Sequence, residues 1–183
     1  MPFALVEGMA ALDRLPLFDT RGNPRVVVEV PGGSTAKFKF DPKLEAFLFQ
    51  RRLELGLAYP HAWGFFPSTL ADDGDPLDAM VWQDNALPQG CVIAVSPVAL
   101  ARVTQVQKGQ SGETRNDRVI AVPAESEKSF TFAAAMREQL AQFFVRAAAG
   151  SGHDAQVERW DGASEARAAI NQAAHRFDAA RRR

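Results

Sequence analysis

The sequence predicts an α+β fold in which short strands close into a small β-barrel and two helices follow. Three observations carry this expectation. The first two thirds hold short β-branched or alternating runs broken by Gly and Pro; the last third shifts to apolar residues at helical spacing; and no repeat or long linker divides the chain. At 183 residues and 46% apolar composition, the chain suits one domain, residues 1–183, with a core that needs no disulfide or structural metal.

Arg25–Val30 is β-branched and is stopped by Pro31-Gly32-Gly33. Ala36–Phe40 alternates strictly, so Phe38 and Phe40 share one face and Lys37 and Lys39 the other. Phe47-Leu48-Phe49 forms a third short strand. Tyr59–Thr69 is aromatic but carries Pro60, Gly64 and Pro67, and is expected to be a turn-rich surface. Asp72–Asp78 is an acidic loop. Cys91–Val106 reads as a long or broken strand pair, with Pro97 marking an edge or bulge. A polar hairpin covers Gln107–Asp117, and Arg118–Val122 is another strand. In the first helix Phe132, Ala133, Met136, Leu140, Phe143, Phe144 and Ala147 form the apolar stripe; Ser129 or Thr131 is expected to cap it and Gly150-Ser151-Gly152 to end it. The second helix runs from about Ser164 into the Arg-rich tail, with Ala166, Ile170, Ala173, Ala174 and Phe177 inward.

Composition excludes several classes. With 21 Lys+Arg against 22 Asp+Glu, the net charge of -1 offers no polybasic signal for nucleic acid or an anionic membrane. Lys37-Phe38-Lys39-Phe40 does not rescue a nucleic-acid reading, because alternation sends the rings away from the lysines, whereas stacking needs both on one surface. Cys91 stands alone in an apolar run and is expected to be a small buried hydrophobe. Met1–Leu17 lacks a basic leader, and no stretch reaches the length of a membrane span. The expectation is a cytoplasmic protein with no membrane partner. His61, His153 and His175 show no metal-ligand spacing; no Gly-x-Ser-x-Gly elbow occurs; and Pro31–Thr35 lacks the ending of a phosphate-binding P-loop.

Asp72-Asp73-Gly74-Asp75-Pro76-Leu77-Asp78 is the most informative stretch. Four carboxylates in seven residues repel one another, and a hard cation such as Mg²⁺ relieves that cost through oxygen ligation. An EF-hand is excluded, since Leu77 and Asp78 fall where that loop needs an oxygen ligand and a glycine. A solvated acidic turn is the alternative reading of the heptad taken alone.

Glu29, Lys37, Arg51 and Tyr59 precede this loop. In order with Asp73-Gly74-Asp75-Pro76-Leu77-Asp78 they make the chain resemble the soluble family I inorganic pyrophosphatases, from about Val26 to Val122 and more weakly through both helices. Val28-Glu29-Val30-Pro31, Arg51 with Tyr59-Pro60, and Val119-Ile120-Ala121-Val122-Pro123 contribute to the match. The resemblance implies a five-stranded barrel like the oligonucleotide/oligosaccharide-binding fold, with two C-terminal helices packed on it. It also implies Mg²⁺-dependent hydrolysis of pyrophosphate by a metal-activated water, without a covalent intermediate. It assigns Asp73, Asp78, Asp75, Glu29 and Asn116 to metal and Lys37, Arg51, Tyr59 and Arg118 to substrate. Asp75, with Tyr59, Arg51 and Lys37, would serve catalysis. A homo-oligomer, frequently a hexamer among bacterial members, is implied as well.

The chain departs from that family at several positions. Gln110 and Asn116 stand where the second acidic hairpin carries aspartates, and an amide ligates without charge. Asp117 could substitute, but on an extended segment Asn116 and Arg118 share a face and Asp117 points away. Lys39 replaces a carboxylate, Trp63 a tyrosine, and Ala147-Ala148 a Tyr-Lys pair. These losses keep a second reading open: a catalytically weak relative that binds phosphate or a small phosphorylated ligand.

Overall fold

A computed structural model describes residues 11–182. The expectations for the first ten residues and for Arg183 lie outside the described residues. The strands are β1 (Arg25–Val30), β2 (Ala36–Asp41), β3 (Ala46–Arg52), β4 (Ala62–Phe65), β5 (Asp78–Val81), β6 (Val92–Gln107), β7 (Thr114–Arg115), β8 (Arg118–Pro123) and β9 (His153–Gly162). The helices are α1 (Ala134–Ala149) and α2 (Ala163–Arg181).

Strands pair in the order β1-β4-β5-β8-β6, and β6 returns to β1 through Arg25↔Ala94 and Val27↔Val92. This closes a five-stranded barrel, the α+β architecture expected. β6 is long enough to leave the barrel: its second half pairs with β9 and, at Thr104 and Gln105, with β7. A register shift between Pro97 and Ala99 bends it, so Pro97 marks a bulge rather than a break. β2 and β3 form a separate hairpin, joined to β1 where the Phe40 N–H donates to Glu29 Oε1 at 2.7 Å.

Among the described residues three apolar clusters pack against the barrel sheet, the smallest being Val27, Phe40 and Phe65; the other two are larger. Val26, Val28, Phe66, Leu100, Val119 and Ile170 form one; Val30, Tyr59, Trp63, Met80, Ile120, Leu140 and Phe144 form the other. α1 buries Leu140, Phe143, Phe144 and Ala148, and α2 buries Ala166, Ile170 and Ala173. Helix packing therefore fixes the cavity wall as well as the core.

Several expectations need correction. Tyr59–Thr69 is not a surface: it holds the fully buried β4 and Phe66. Gly64 resembled a turn signal, but it lets two strands touch, since a Cβ there would lie 1.9 Å from the Val27 carbonyl oxygen. The helices are not consecutive, because β9 lies between them. Neither Ser129 nor Thr131 caps α1; its N-cap is Ala133, with no side-chain bond. Cys91 is only partly buried, as are Ala174 and Phe177. No described helix is long and apolar enough to cross a membrane.

Candidate active site

The acidic loop is built by its own backbone. Asp73 Oδ1 accepts from the Asp75 N–H at 3.1 Å, the Ala71 N–H donates to the Asp75 carbonyl at 2.7 Å, and Gly74 takes φ +89°. That left-handed turn is the conformation glycine tolerates without strain. Thr69, 2% exposed, pins the loop to the barrel. Its hydroxyl donates to the Phe66 carbonyl at 2.6 Å and accepts from the Leu77 N–H at 2.9 Å. From outside, Arg176 on α2 donates to the Leu70 carbonyl at 2.8 Å and pairs with Asp72 at 3.3 Å. Asp72 is thereby turned to the opposite side from its neighbours.

One cavity of about 600 Å³ gathers Glu29, Asp73, Asp75 and Asp78 with Lys37, Lys39, Arg51, Tyr59, Asn116 and Arg118. Each arrives on a defined element. Asp78 opens β5 and lies directly across from Arg118 on the parallel strand β8, so opposite charges stand one rung apart. Lys37 on β2 lies opposite Arg51 on β3. Asn116 and Arg118 both line the cavity, while Asp117 faces away. The Asp117 carboxylate accepts from Arg102 and Arg115, each at 2.8 Å, and from the Val103 N–H at 3.1 Å.

Burial dominates the electrostatics of the site. Burial pushes the Glu29 carboxyl up to about 7, against the pull of its bond from the Phe40 N–H. Burial also raises Asp78 to about 7, more than Arg118 and Lys37 lower it. Asp73 is raised for the same first reason. Tyr59 is buried between Trp63 and Phe143, with ring centroids 6.1 and 5.1 Å away, and burial lifts its phenol well above the usual value. Burial works most strongly against the Lys39 charge, but the bond to Asp75 and the charges of Asp75, Glu29 and Asp78 together outweigh it and the pKa rises.

Two cations are held without full satisfaction. Arg118 is 7% exposed, its Nε–H has no hydrogen-bond partner, and its guanidinium sits 4.5 Å from the Phe144 ring centroid and 5.6 Å from that of Trp63. Arg51 donates to the Ala147 carbonyl at 2.5 Å, yet its buried Nε–H is also unpaired. Buried donors without partners are costly, and ligand anions commonly explain them.

Among the described residues, no three His, Cys, Asp or Glu side chains form a closed cage for a metal. Mg²⁺ does not demand one, since it commonly takes one or two carboxylates and completes its shell with water and phosphate oxygens. The water-deprived carboxyls of Asp73, Asp78 and Glu29 have the hard oxygen donors and the charge deficit that such an ion suits. The second arm fits less well: Asn116 is neutral, and Gln110 is exposed on the hairpin and does not reach the cavity.

The sequence marks Lys39 as a departure beside the metal-binding residues but not its partner, and it misses several other lining groups. Lys39 Nζ lies 2.6 Å from Asp75 Oδ2, an ion pair across 36 residues that no local pattern signals. Gln105 enters from β6, and Ser151 and His153 enter beside Ala147 and Ala148. The His153 Nδ1 faces the Ser151 carbonyl oxygen at 3.1 Å.

Comparison with known proteins follows the same residues. The family model for inorganic pyrophosphatase matches residues 26–178. An inorganic pyrophosphatase from Nostoc sp. is 34% identical over 167 residues, covering 88% of this chain and 95% of the relative. Another from Synechocystis sp. is 34% identical over 140 residues, covering 73% and 79%. Among solved structures, the inorganic pyrophosphatase from Thermus thermophilus superposes with a TM-score of 0.81 at 30% identity, covering 92% of this chain and 99% of that one.

Proposed function

Because the chain belongs to the inorganic pyrophosphatase family, we propose a division of labour among its own residues for the hydrolysis of pyrophosphate to two phosphates. The observation that carries this reading is the cavity in which the carboxylate loop meets two arginines with buried, unpaired Nε–H donors. Pyrophosphate is a compact polyanion that repels hydroxide, so its cleavage needs charge neutralisation, a deprotonated water and a stabilised leaving group.

Lys37, Arg51 and Arg118 supply N–H donors to phosphate oxygens, with the Tyr59 hydroxyl beside them. Tyr59, whose pKa burial raises, keeps that hydroxyl a donor well above neutral pH. Asp75 takes the proton from the attacking water, which displaces phosphate directly and leaves no covalent enzyme intermediate. Asp73, Asp75, Asp78 and Glu29 would hold Mg²⁺, one or two carboxylates to an ion, and Asn116 would offer a neutral carbonyl oxygen. When bound, the ion lowers the pKa of its water and neutralises phosphate oxygens. Trp63 and Phe144 flank Arg118 and exclude water from the grip.

The proposal takes the protein as a cytoplasmic homo-oligomer that engages neither nucleic acid nor membrane. Leu44, Phe49 and Leu55, exposed on and beside the β2–β3 hairpin, supply apolar surface for contacts between copies. The second reading, a phosphate-binding protein without turnover, loses support from relatives that are named as pyrophosphatases.

The test is phosphate release from pyrophosphate with Mg²⁺ titrated. Release should rise with Mg²⁺ and fall by about 10²-fold or more in Asp75→Asn, on the scale of a lost general base. No release at any Mg²⁺ concentration would overturn the function; full activity in Asp75→Asn would overturn the role of that carboxylate.

A further inference from the structure

We propose that the Lys39 ammonium is a built-in cation of the acidic loop, occupying at Asp75 the place of a divalent ion, so that this chain binds fewer ions than its carboxylates would otherwise recruit. The proposal rests on the reading of Asp73, Asp75 and Asp78 as the metal-binding loop.

The geometry is fixed from both ends. Lys39 Nζ lies 2.6 Å from Asp75 Oδ2. Lys39 stands on a strand locked on both sides, opposite Leu48 of β3 and next to Phe40, whose N–H is held by Glu29. Asp75 is held by its own carbonyl and N–H within the loop turn. Backbone hydrogen bonds therefore hold the strand and the loop that bring the ammonium and this carboxylate together.

Stability does not explain the pair. The side chains are 42% and 52% exposed, and ion pairs at such exposure contribute about 0–1 kcal/mol. Charge does offer an explanation. The cavity is lined by five carboxylates, Asp13, Glu29, Asp73, Asp75 and Asp78, against four Lys and Arg cations. That near balance gives a second or third dication little to neutralise. The amide of Asn116 acts in the same direction, withholding a charge from the same cavity.

The test counts ions without turnover. Mn²⁺ is titrated into the full-length chain in the absence of pyrophosphate, with free Mn²⁺ followed by its electron paramagnetic resonance signal. Lys39→Gln should bind one further Mn²⁺, or bind its weakest ion roughly tenfold tighter or more, the scale of one unit charge a few ångströms away in a half-solvated site. Lys39→Arg should match the parent, and the double variant Lys39→Gln/Asp75→Asn should lose the gain. Equal number and affinity in the parent and Lys39→Gln would overturn the proposal, as would a gain that survives Asp75→Asn or an absence of bound Mn²⁺ in both. Phosphate release measured separately distinguishes the outcomes: an inactive chain that still shows the Lys39→Gln gain refutes the proposed function and keeps this inference.

Discussion

Arg118→Met separates what the fold needs from what the ligand needs. Arg118 is buried with an unpaired Nε–H, against the faces of Phe144 and Trp63 and across from the Asp78 carboxyl. Contacts with such ring faces contribute about 0.5–2 kcal/mol, whereas a buried charge lacking a bonded partner costs several kcal/mol. Methionine fills similar space without the charge, so the ligand-free protein should gain about 1–3 kcal/mol, the surplus of the second term over the first. For a chain of this size that raises Tm by about 3–9 °C. Asp78, one rung away on β5, sets the pH at which the gain is seen. Its carboxyl, raised to about 7, is largely protonated at about pH 6, so little charge is stranded there by losing Arg118. At about pH 8.5 the stranded carboxylate erodes the gain. The assay is a thermal melt at both pH values, with and without pyrophosphate. The variant should melt higher at the lower pH, less so at the higher, and respond less to pyrophosphate. A lower Tm at the acidic pH together with an undiminished pyrophosphate response would refute the reasoning.

Three further outcomes are expected. Gly64→Ala forces a Cβ into the Val27 carbonyl oxygen, and urea unfolding should show a loss of about 3 kcal/mol or more; a change within about 0.5 kcal/mol would mean β1 and β4 separate freely. Glu29 and Asp78 have folded pKa values near 7 against ordinary values of 4.5 and 3.8, so the folded metal-free state binds more protons. The stability these two contribute is full below their unfolded pKa values and is lost as pH rises through about 7; ¹³C titration of the Glu29 carboxyl should show a midpoint near 7, and one near 4.5 would contradict it. Asn116→Asp, whose side chain reaches the cavity, should lower the Mg²⁺ concentration needed for half-maximal activity, while Gln110→Asp, exposed outside it, should not; the reverse ranking would show that the hairpin register differs in the working enzyme.

The sequence made the acidic loop, the alternating β2 and the strand at Arg118 legible because each is a local pattern. It hid β4, since Pro60, Gly64 and Pro67 announce turns whereas Gly64 serves an approach between strands distant in sequence. It hid β9 for another reason. That strand alternates polar and partly buried residues with no apolar run, and it is held by pairing with β6 rather than by its own periodicity. The placement of Asn116 and Arg118 together and Asp117 apart followed from two-residue alternation alone. The Lys39–Asp75 pair, the entry of Gln105 and the cavity's use of Ser151 and His153 depend on tertiary contact, which one chain of letters does not display.

The seam between β1 and β6 carries a consequence for how the protein comes into being. Glu29, Asp78 and Arg118 belong to three barrel strands, Lys37 and Arg51 to the outlying hairpin, and Arg51 is moored to the end of α1. No contiguous fragment of the chain owns the cavity. During synthesis or refolding, β1 must wait for β6 before the ring is complete, and pairings this distant are slow to form. Affinity for pyrophosphate is therefore a property of the finished ring alone, and its appearance in a refolding experiment would time the closing of the barrel.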